Sequence, residues 1–334
     1  MMHNANRIST SQIAFVTTYK CNLNCGYCFV QEKESPEMTL ETMRLATDVF
    51  YNYLFDKSKI AEFLFSGGEP LLSFDLMRTY VNYIKSEKRF EKFKFHITTN
   101  GIDLDDEKIS FMKENNFQIC LSLDGTLESS LNRFGKQVGK YHKLIELVND
   151  ISRFHKDSKD FFRVRMTISP DRAKHLIDDI KFLIANKVST IHFSPDYESN
   201  WTEDNVSDFI NQYKEIADLK QNNSEISIDP FDSKGLNFFT KRGCYQHDCS
   251  TLLTVIPSGD FYYCPRYAGR RMNLLGNIHK PIEIIKNLRD MLKKHENIFT
   301  SSKSQFICPC NFDSCEVSVE NFKLFDRIYH GNHK

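Results

Sequence analysis

The chain has 334 residues, with 44 Lys and Arg against 44 Asp and Glu and a formal net charge of zero. With 40% hydrophobic and 13% aromatic residues it can bury the core of one large domain, or a large domain with a smaller one attached. That excludes general disorder, and the neutral balance gives no reason to expect nucleic acid or an acidic membrane surface as partner. No apolar run approaches the ~20 residues of a membrane span and the polar residues 1–12 do not read as a signal peptide, so a cytoplasmic location is expected.

After a short arm, residues 1–12, short apolar runs alternate with longer amphipathic ones. Strands are expected at 13–17, 62–65, 95–98, 118–123, 164–168 and 190–194, which are rich in Ile, Val, Phe and Thr and bounded by Gly, Pro, Asn or Asp. Helices are expected at about 40–55, 74–90, 105–115, 140–154, 171–186 and 203–219. In the fifth of these, Leu176, Ile180, Leu183 and Ile184 fall on one stripe. Six strand–helix units in series predict an α/β fold, a partial (βα)6 TIM-like barrel with a parallel sheet and right-handed crossovers, over residues 13–220. Beyond Gln221, Asn, Ser, Asp, Gly and Cys become frequent. A hairpin is expected there, 252–256 with 261–263 around Pro257-Ser258-Gly259-Asp260, followed by helices at about 282–295 and 319–329. A boundary near 221–240 would set off 221–334 as a cysteine-rich extension.

Ten cysteines in a reducing compartment point to metal ligands rather than disulfides. Cys21, Cys25 and Cys28 form one group, and Cys244, Cys249, Cys264, Cys308, Cys310 and Cys315 a second, while Cys120 stands alone. The first group is C-x3-C-x2-C, directly after the first expected strand. Three thiolates on one loop hold three corners of a four-iron cubane and leave one iron without a protein ligand. Such an open position is where a cofactor binds metal. Gly26 lets the loop turn tightly. A structural zinc wants four ligands, and after Cys28 no further His or Cys follows before His96.

The triad resembles the signature of the radical S-adenosylmethionine (SAM) superfamily, and further motifs follow in register. Gly67-Gly68-Glu69-Pro70 ends the second strand, Thr99-Asn100-Gly101 follows the third, and Ser122-Leu123-Asp124-Gly125 ends the fourth. Asn132-Arg133 comes next, and Val164-Arg165-Met166-Thr167-Ile168 forms the fifth strand. The resemblance covers about residues 13–194. It implies a [4Fe-4S] cluster on Cys21, Cys25 and Cys28, whose unique iron is chelated by the methionine end of SAM. One electron then releases methionine and a 5′-deoxyadenosyl radical that removes a hydrogen atom from an unactivated C–H bond. It also implies that Gly67 and Gly68 admit the SAM amino group, with Glu69 as anionic partner and Pro70 and Asn100 in the same cofactor-binding set. Tyr27 would face adenine, Ser122 the ribose, and Arg133 the ribose or carboxylate.

By strand alternation Arg165 points into the barrel with Arg163 and Thr167, toward the SAM carboxylate or into an internal ion pair. Asp124 and Cys120 share the inward face with Ser122. As catalytic candidates, Asp124 would orient substrate or accept a proton, and Cys120 would donate a hydrogen atom to a substrate radical. The blander readings are a turn-former before Gly125 and a small core residue.

The second cysteine group runs C-x4-C-x14-C and then, 43 residues on, C-x-C-x4-C. It resembles the SPASM/twitch extension of radical SAM enzymes. That implies at least one auxiliary [4Fe-4S] cluster on Cys244, Cys249 and Cys264, with a fourth ligand among Cys308, Cys310 and Cys315, Cys315 being the first choice. A full SPASM region carries seven cysteines, and this chain has none beyond Cys315. A second cubane would therefore need Asp313, a His or the substrate, and zinc is an alternative for the region.

The resemblance implies oxidation of a ribosomally made peptide or protein, by crosslinking or a similar change, as in peptide maturases and anaerobic sulfatase maturases. The alternatives are a dehydrogenase or epimerase acting on a small molecule or peptide and, less in keeping with the motif series, a non-enzymatic zinc protein. Expected partners are a precursor peptide or protein, a reductase or flavodoxin-type electron donor, and a separate leader-binding protein.

Overall fold

A computed structural model describes residues 10–28, 30, 36–154, 161–196, 198–229, 252–263, 268, 273–301, 324–325 and 327–328. The expected ligands Cys244, Cys249, Cys264, Cys308, Cys310 and Cys315, and most of the expected helix at 319–329, lie outside these residues.

The strands are β1 (Gln12–Thr18), β2 (Ala61–Gly67), β3 (Phe93–Thr99), β4 (Phe117–Ser122), β5 (Phe162–Ile168), β6 (Thr190–Pro195) and β7 (Ser227–Asp229), then β8 (Leu252–Val255), β9 (Asp260–Tyr262) and β10 (Leu274–Asn277). They form one sheet in the order β10-β9-β8-β1-β2-β3-β4-β5-β6-β7. From β1 to β7 every neighbouring pair is parallel. The helices between them are α1 (Leu40–Val49), α2 (Phe74–Ser86), α3 (Asp106–Glu114), α4 (Leu127–Phe134), α5 (Val138–Phe154), α6 (Leu176–Ala185) and α7 (Glu203–Gln221), with α8 (Pro281–Ser301) last. This is the α/β partial barrel the alternating pattern predicts.

Helices α1, α3 and α7 start where the sequence supplies a cap. The side chains of Thr39, Asp105 and Thr202 accept from the backbone N–H groups of Thr42, Lys108 and Asn205, satisfying donors that a first turn leaves open. Pro70 and Pro170 open short 3-10 turns, Pro70–Ser73 before α2 and Pro170–His175 before α6, where a missing N–H costs nothing.

Alternation divides the sheet into two chemistries. On β5, Phe162, Val164, Met166 and Ile168 are buried, whereas Arg163, Arg165 and Thr167 are half-buried. On β2 the buried residues are Ala61, Phe63 and Phe65. The buried set faces the helices and forms the core. Around β1–β3 that core is aromatic: Phe63 and Phe90 meet edge to face at 5.2 Å, and Phe15 meets Tyr80 at 5.2 Å. Tyr80 is fully buried, and its hydroxyl lies 2.6 Å from that of Thr47, which donates to the Met43 carbonyl. The opposite, inner face is polar. Gln12 donates to Glu62 at 3.0 Å, Glu62 pairs with His96 at 2.9 Å, and His96 Nδ1 lies 3.2 Å from Gln118.

Four features depart from the expectation. The first helix becomes a π-helical turn at Phe50–Leu54 instead of continuing to residue 55. Helix α4 was not anticipated, because Ser129, Ser130 and Asn132 favour turns over helix interiors. Strands β7 and β10, of three and four residues, are too short to show a period of two. Finally, β8 pairs in parallel with β1, and the antiparallel β8–β9–β10 meander carries the barrel sheet onward. No helix among the described residues is long and apolar enough to cross a membrane.

Phe63 has 0% exposure, so Phe63→Ala is expected to lower unfolding free energy by roughly 3–5 kcal/mol. Tyr53, 47% exposed, should change it by less than about 0.5 kcal/mol when replaced by Ala. Urea denaturation of both variants checks the contrast.

Candidate functional site

The turns that follow β1, β2, β3 and β4 carry the sequence motifs, and all leave the carboxyl ends of parallel strands, where open α/β sheets bind ligands. The loop after β1 bears Cys21, Cys25 and Cys28, none of them in a disulfide. The first two are half-buried and the third is exposed. It is gripped on two sides. On one side Gly68 donates to the Thr18 carbonyl and Glu69 to that of Lys20, both at 2.8 Å. A Cβ on Gly67, whose φ is +130°, would lie 2.3 Å from the Thr18 carbonyl oxygen, and one on Gly68 would lie 2.2 Å from that of Lys20. The glycine pair is therefore required by the approach of the cysteine loop itself. On the other side Gly26 donates to the Asn132 carbonyl at 3.0 Å, and the Cys25 thiol faces the Arg133 carbonyl at 4.0 Å.

Two donors point at Cys21: the Leu23 N–H, 3.4 Å from its sulfur, and the Asn100 amide, at 3.7 Å. Asn100 also donates to Asn22 at 2.7 Å and accepts from the Ile102 N–H at 3.0 Å. Asn22 donates in turn to Asp103 at 2.7 Å. Burial pushes the Cys25 thiol above its ordinary pKa. The Arg133 guanidinium opposes this, and Cys28, Asp124 and Cys21 add to it.

Glu69 has 0% exposure. Its carboxylate accepts from the Thr99 hydroxyl at 2.7 Å, the Asn100 N–H at 2.7 Å and the Leu71 N–H at 2.9 Å. This side chain, expected as an anionic partner for the cofactor, ties the turn after β2 to the turn after β3. Burial pushes its pKa up to about 7, with those three hydrogen bonds opposing. Pro70, also buried, begins the turn that leads into α2.

Asp124 and Arg133 form a buried ion pair, 2% and 8% exposed, with Nη2–Oδ1 at 2.7 Å and Nε–Oδ2 at 3.2 Å. The Tyr27 hydroxyl donates to the same carboxylate, as does the Thr167 N–H at 2.9 Å. The guanidinium carbon of Arg133 sits 5.2 Å from the centroid of the Tyr27 ring. Burial and the neighbouring Asp124 hold the Tyr27 phenol well above its ordinary pKa, against Arg133, so it stays a donor. Burial works against charge on Arg133, and Asp124, Tyr27 and Cys25 outweigh it. Asp124, expected to orient substrate or accept a proton, has both of its oxygens engaged by the chain in this arrangement.

Residues 15–183 match the family profile described as the Radical SAM superfamily. The chain belongs to the radical SAM superfamily. It is 27% identical over 263 residues to the protein MJ0907 of Methanocaldococcus jannaschii, covering 78% of this chain and 86% of that one. It is 24% identical over 314 residues to the cysteine-type anaerobic sulfatase-maturating enzyme of Clostridium perfringens strain 13, covering 86% of this chain and 82% of that one. Its fold is similar to the solved structure of native anSMEcpe with bound AdoMet and Cp18Cys peptide, with TM-score 0.68 and 21% identity over 97% of this chain and 99% of that one.

Membership in this enzyme superfamily implies SAM and a [4Fe-4S] cluster, and the donor set fits that cluster. Three thiols, none in a disulfide, stand on one loop, and N–H donors already aim at Cys21, an arrangement that favours thiolate sulfur. Of the remaining sequence candidates, Cys120 is 4% exposed and lies in register between Thr98 and Arg163. Ser122 and Arg165 are register partners, both half-buried on the inner face.

Sequence reading missed Asp179, which is 1% exposed. It accepts from the N–H and hydroxyl of Thr126 and from the Ser129 hydroxyl, holding the turn after β4. A Cβ on Gly125, at φ +107°, would lie 2.4 Å from the Asp179 Cβ. A contact spanning 53 residues leaves no local signal.

Asp124→Asn leaves the buried guanidinium without its anion and should lower stability by roughly 3–5 kcal/mol, seen as a fall in the urea midpoint. For Glu69 the folded pKa of about 7 lies above the unfolded 4.5. The folded chain then holds the extra proton between those values, so stability falls as pH rises through that window. Relative to Glu69→Gln, the wild type should lose up to about 3 kcal/mol between pH 4 and pH 8, measured by urea denaturation across the range.

Proposed function

We propose that this chain is a radical SAM maturase that oxidises a side chain of a ribosomally made peptide or protein, forming a crosslink or a similar modification. The observation that carries the reading is the cysteine loop held from both sides, by Gly67-Gly68 and by Asn132-Arg133, beside a polar inner face. Peptide chemistry is supported by the sulfatase-maturating relative and by the similar fold solved with a bound peptide.

Cys21, Cys25 and Cys28 would hold the cluster, leaving one iron for the amino and carboxylate groups of SAM. When bound, the pair supplies a 5′-deoxyadenosyl radical able to take a hydrogen atom from an unactivated C–H bond. The chain's own part is placement. Glu69 and Asn100 hold the turns that border the cluster loop, and Pro70 sets the direction of the first of them. The Asp124–Arg133 pair fixes Tyr27 as a ring against which adenine can lie. Ser122 and Arg165 offer a hydroxyl and a cation on the inner face for the ribose and carboxylate. Cys120, one step further in on that face, would hand a hydrogen atom to a substrate radical if the outcome is epimerisation.

Net oxidation requires an acceptor for the substrate radical's remaining electron. An auxiliary cluster on Cys244, Cys249 and Cys264, with one of Cys308, Cys310 and Cys315, belongs to the proposal in that role. So do a reductase or flavodoxin-type donor and a separate leader-binding protein.

The test is anaerobic reconstitution of the wild type and of Cys21→Ala/Cys25→Ala/Cys28→Ala. Iron and sulfide per chain are measured, together with 5′-deoxyadenosine released from SAM under dithionite. The wild type should produce 5′-deoxyadenosine. The triple variant should produce none, lose one cluster's worth of iron and keep the auxiliary iron. Zinc in place of iron with no 5′-deoxyadenosine from the wild type would sink the reading, and a triple variant empty of iron would remove the auxiliary cluster from it.

A further inference from the structure

The three sulfurs of the cysteine loop do not meet the same surroundings. Those of Cys25 and Cys28 face carbonyl oxygens, of Arg133 at 4.0 Å and of Val30 at 3.8 Å. Cys21 is met by N–H groups, the backbone of Leu23 at 3.4 Å and the side-chain amide of Asn100 at 3.7 Å. A carbonyl gives no support to a thiolate, whereas an N–H donor stabilises sulfur more as negative charge accumulates on it.

The Leu23 contact is local, made within the turn of the loop itself. The Asn100 contact comes from the turn after β3, 79 residues along the chain, and its amide is held with nitrogen rather than oxygen toward the sulfur. The Ile102 N–H, at 3.0 Å, requires an acceptor and so fixes the position of Asn100 Oδ1. Both hydrogens of Nδ2 then point away from Ile102. One goes to the Asn22 side-chain oxygen at 2.7 Å, and the other is directed at Cys21. Asn22 is oriented by the same logic, because its own amide donates to the Asp103 carboxylate at 2.7 Å. The Asn100 backbone N–H is tied to Glu69 at 2.7 Å, and the residue is 7% exposed, so little water competes for the amide.

We propose that Asn100 sets the reduction potential of the cluster carried by Cys21, Cys25 and Cys28, by donating its side-chain amide N–H to the Cys21 sulfur. Reduction is the uptake of one electron from an external donor such as dithionite, with no bond made or broken. The added charge is shared with the thiolate ligands, so the N–H group favours the reduced cluster over the oxidised one and raises the potential. Asn100 acts through Cys21 and is in that sense a positioning residue. The inference needs the cluster that superfamily membership implies, and it stands whatever the substrate is.

The full-length wild type, Asn100→Leu and Asn22→Ala are reconstituted anaerobically and poised at a series of potentials with dithionite and mediator dyes. Reduced cluster is read from its EPR signal, taken as the signal that Cys21→Ala/Cys25→Ala/Cys28→Ala lacks, so that no other cluster contributes. Leu keeps the branching of Asn and has no donor. At the wild-type midpoint, Asn100→Leu is expected to lower the reduced-to-oxidised ratio by roughly threefold to tenfold, tenfold being about 59 mV for one electron. Asn22→Ala cuts the side-chain bond between loop and turn but leaves Ile102 holding the Asn100 oxygen, and should change the ratio less than about twofold. An unchanged ratio in Asn100→Leu overturns the inference. So does an equal fall in both variants, because Asn100 then acts only by holding the loop. If Asn100→Leu binds no iron, the wild type decides: with isotopically labelled nitrogen in the Asn side-chain amides, pulsed EPR of the reduced cluster should show a coupling to that nitrogen, and its absence overturns the inference. Neither readout involves a peptide, so failure of the maturase reading leaves the result intact.

Discussion

The buried pair of Asp124 and Arg133 is the contact on which the site depends. It joins three segments: the turn after β4, the end of α4, and, through the Thr167 N–H, the neighbouring strand β5. Through Tyr27 and the Asn132 carbonyl it also reaches the cysteine loop. A charge with 8% exposure is tolerated only with its partner and a full set of hydrogen bonds. The requirement runs both ways, because Arg133 needs the carboxylate as much as the carboxylate needs its donors. The loop that carries Cys25 is thus tied to a contact with little freedom to relax.

The opposite side of that loop is held by different physics. There the backbone of Thr18 and Lys20 lies so near Gly67 and Gly68 that no side chain fits. Glu69, immediately after them, braces two neighbouring turns with one carboxylate. Close steric approach on one side and a buried ion pair on the other leave the thiols of Cys21, Cys25 and Cys28 on a segment fixed at both ends. Rigid elements hold reactive groups more accurately than loops do, and here the loop takes its rigidity from the strand ends around it.

Much of this was legible in the sequence, for definite reasons. Strands β1 to β6 showed themselves through β-branched and aromatic runs, and the helices between them through apolar stripes such as Leu176, Ile180 and Leu183. The motif residues Gly67, Gly68, Glu69, Asn100, Ser122, Asp124 and Arg133 were visible as well, because each sits next to a strand end in the chain. What they touch was not visible. Glu69 and Asp124 looked available for ligand or proton, and both proved to be engaged by the chain, since a partner 30 residues away for Glu69 and Thr167 at 43 residues for Asp124 leave no local trace. Asp179 was missed for the same reason, and α4 because serines and asparagine hide a short helix.

The division of the sheet into two faces gives these observations a common basis. Aromatic and aliphatic residues on the outer face, packed against the helices, supply the burial that stabilises the barrel. That leaves the inner face free to be polar, at a cost offset by internal pairing: Gln12 with Glu62 and His96 on one wall, His192 with Asp229 on the other. The strand order sets these two walls on different strands, β1 to β4 and β6 to β7, with Arg163 and Arg165 of β5 between them. The same order brings the motif turns after β1, β2, β3 and β4 side by side at the carboxyl ends of the strands, so the sheet that divides the polar face also assembles the loop that carries the thiols.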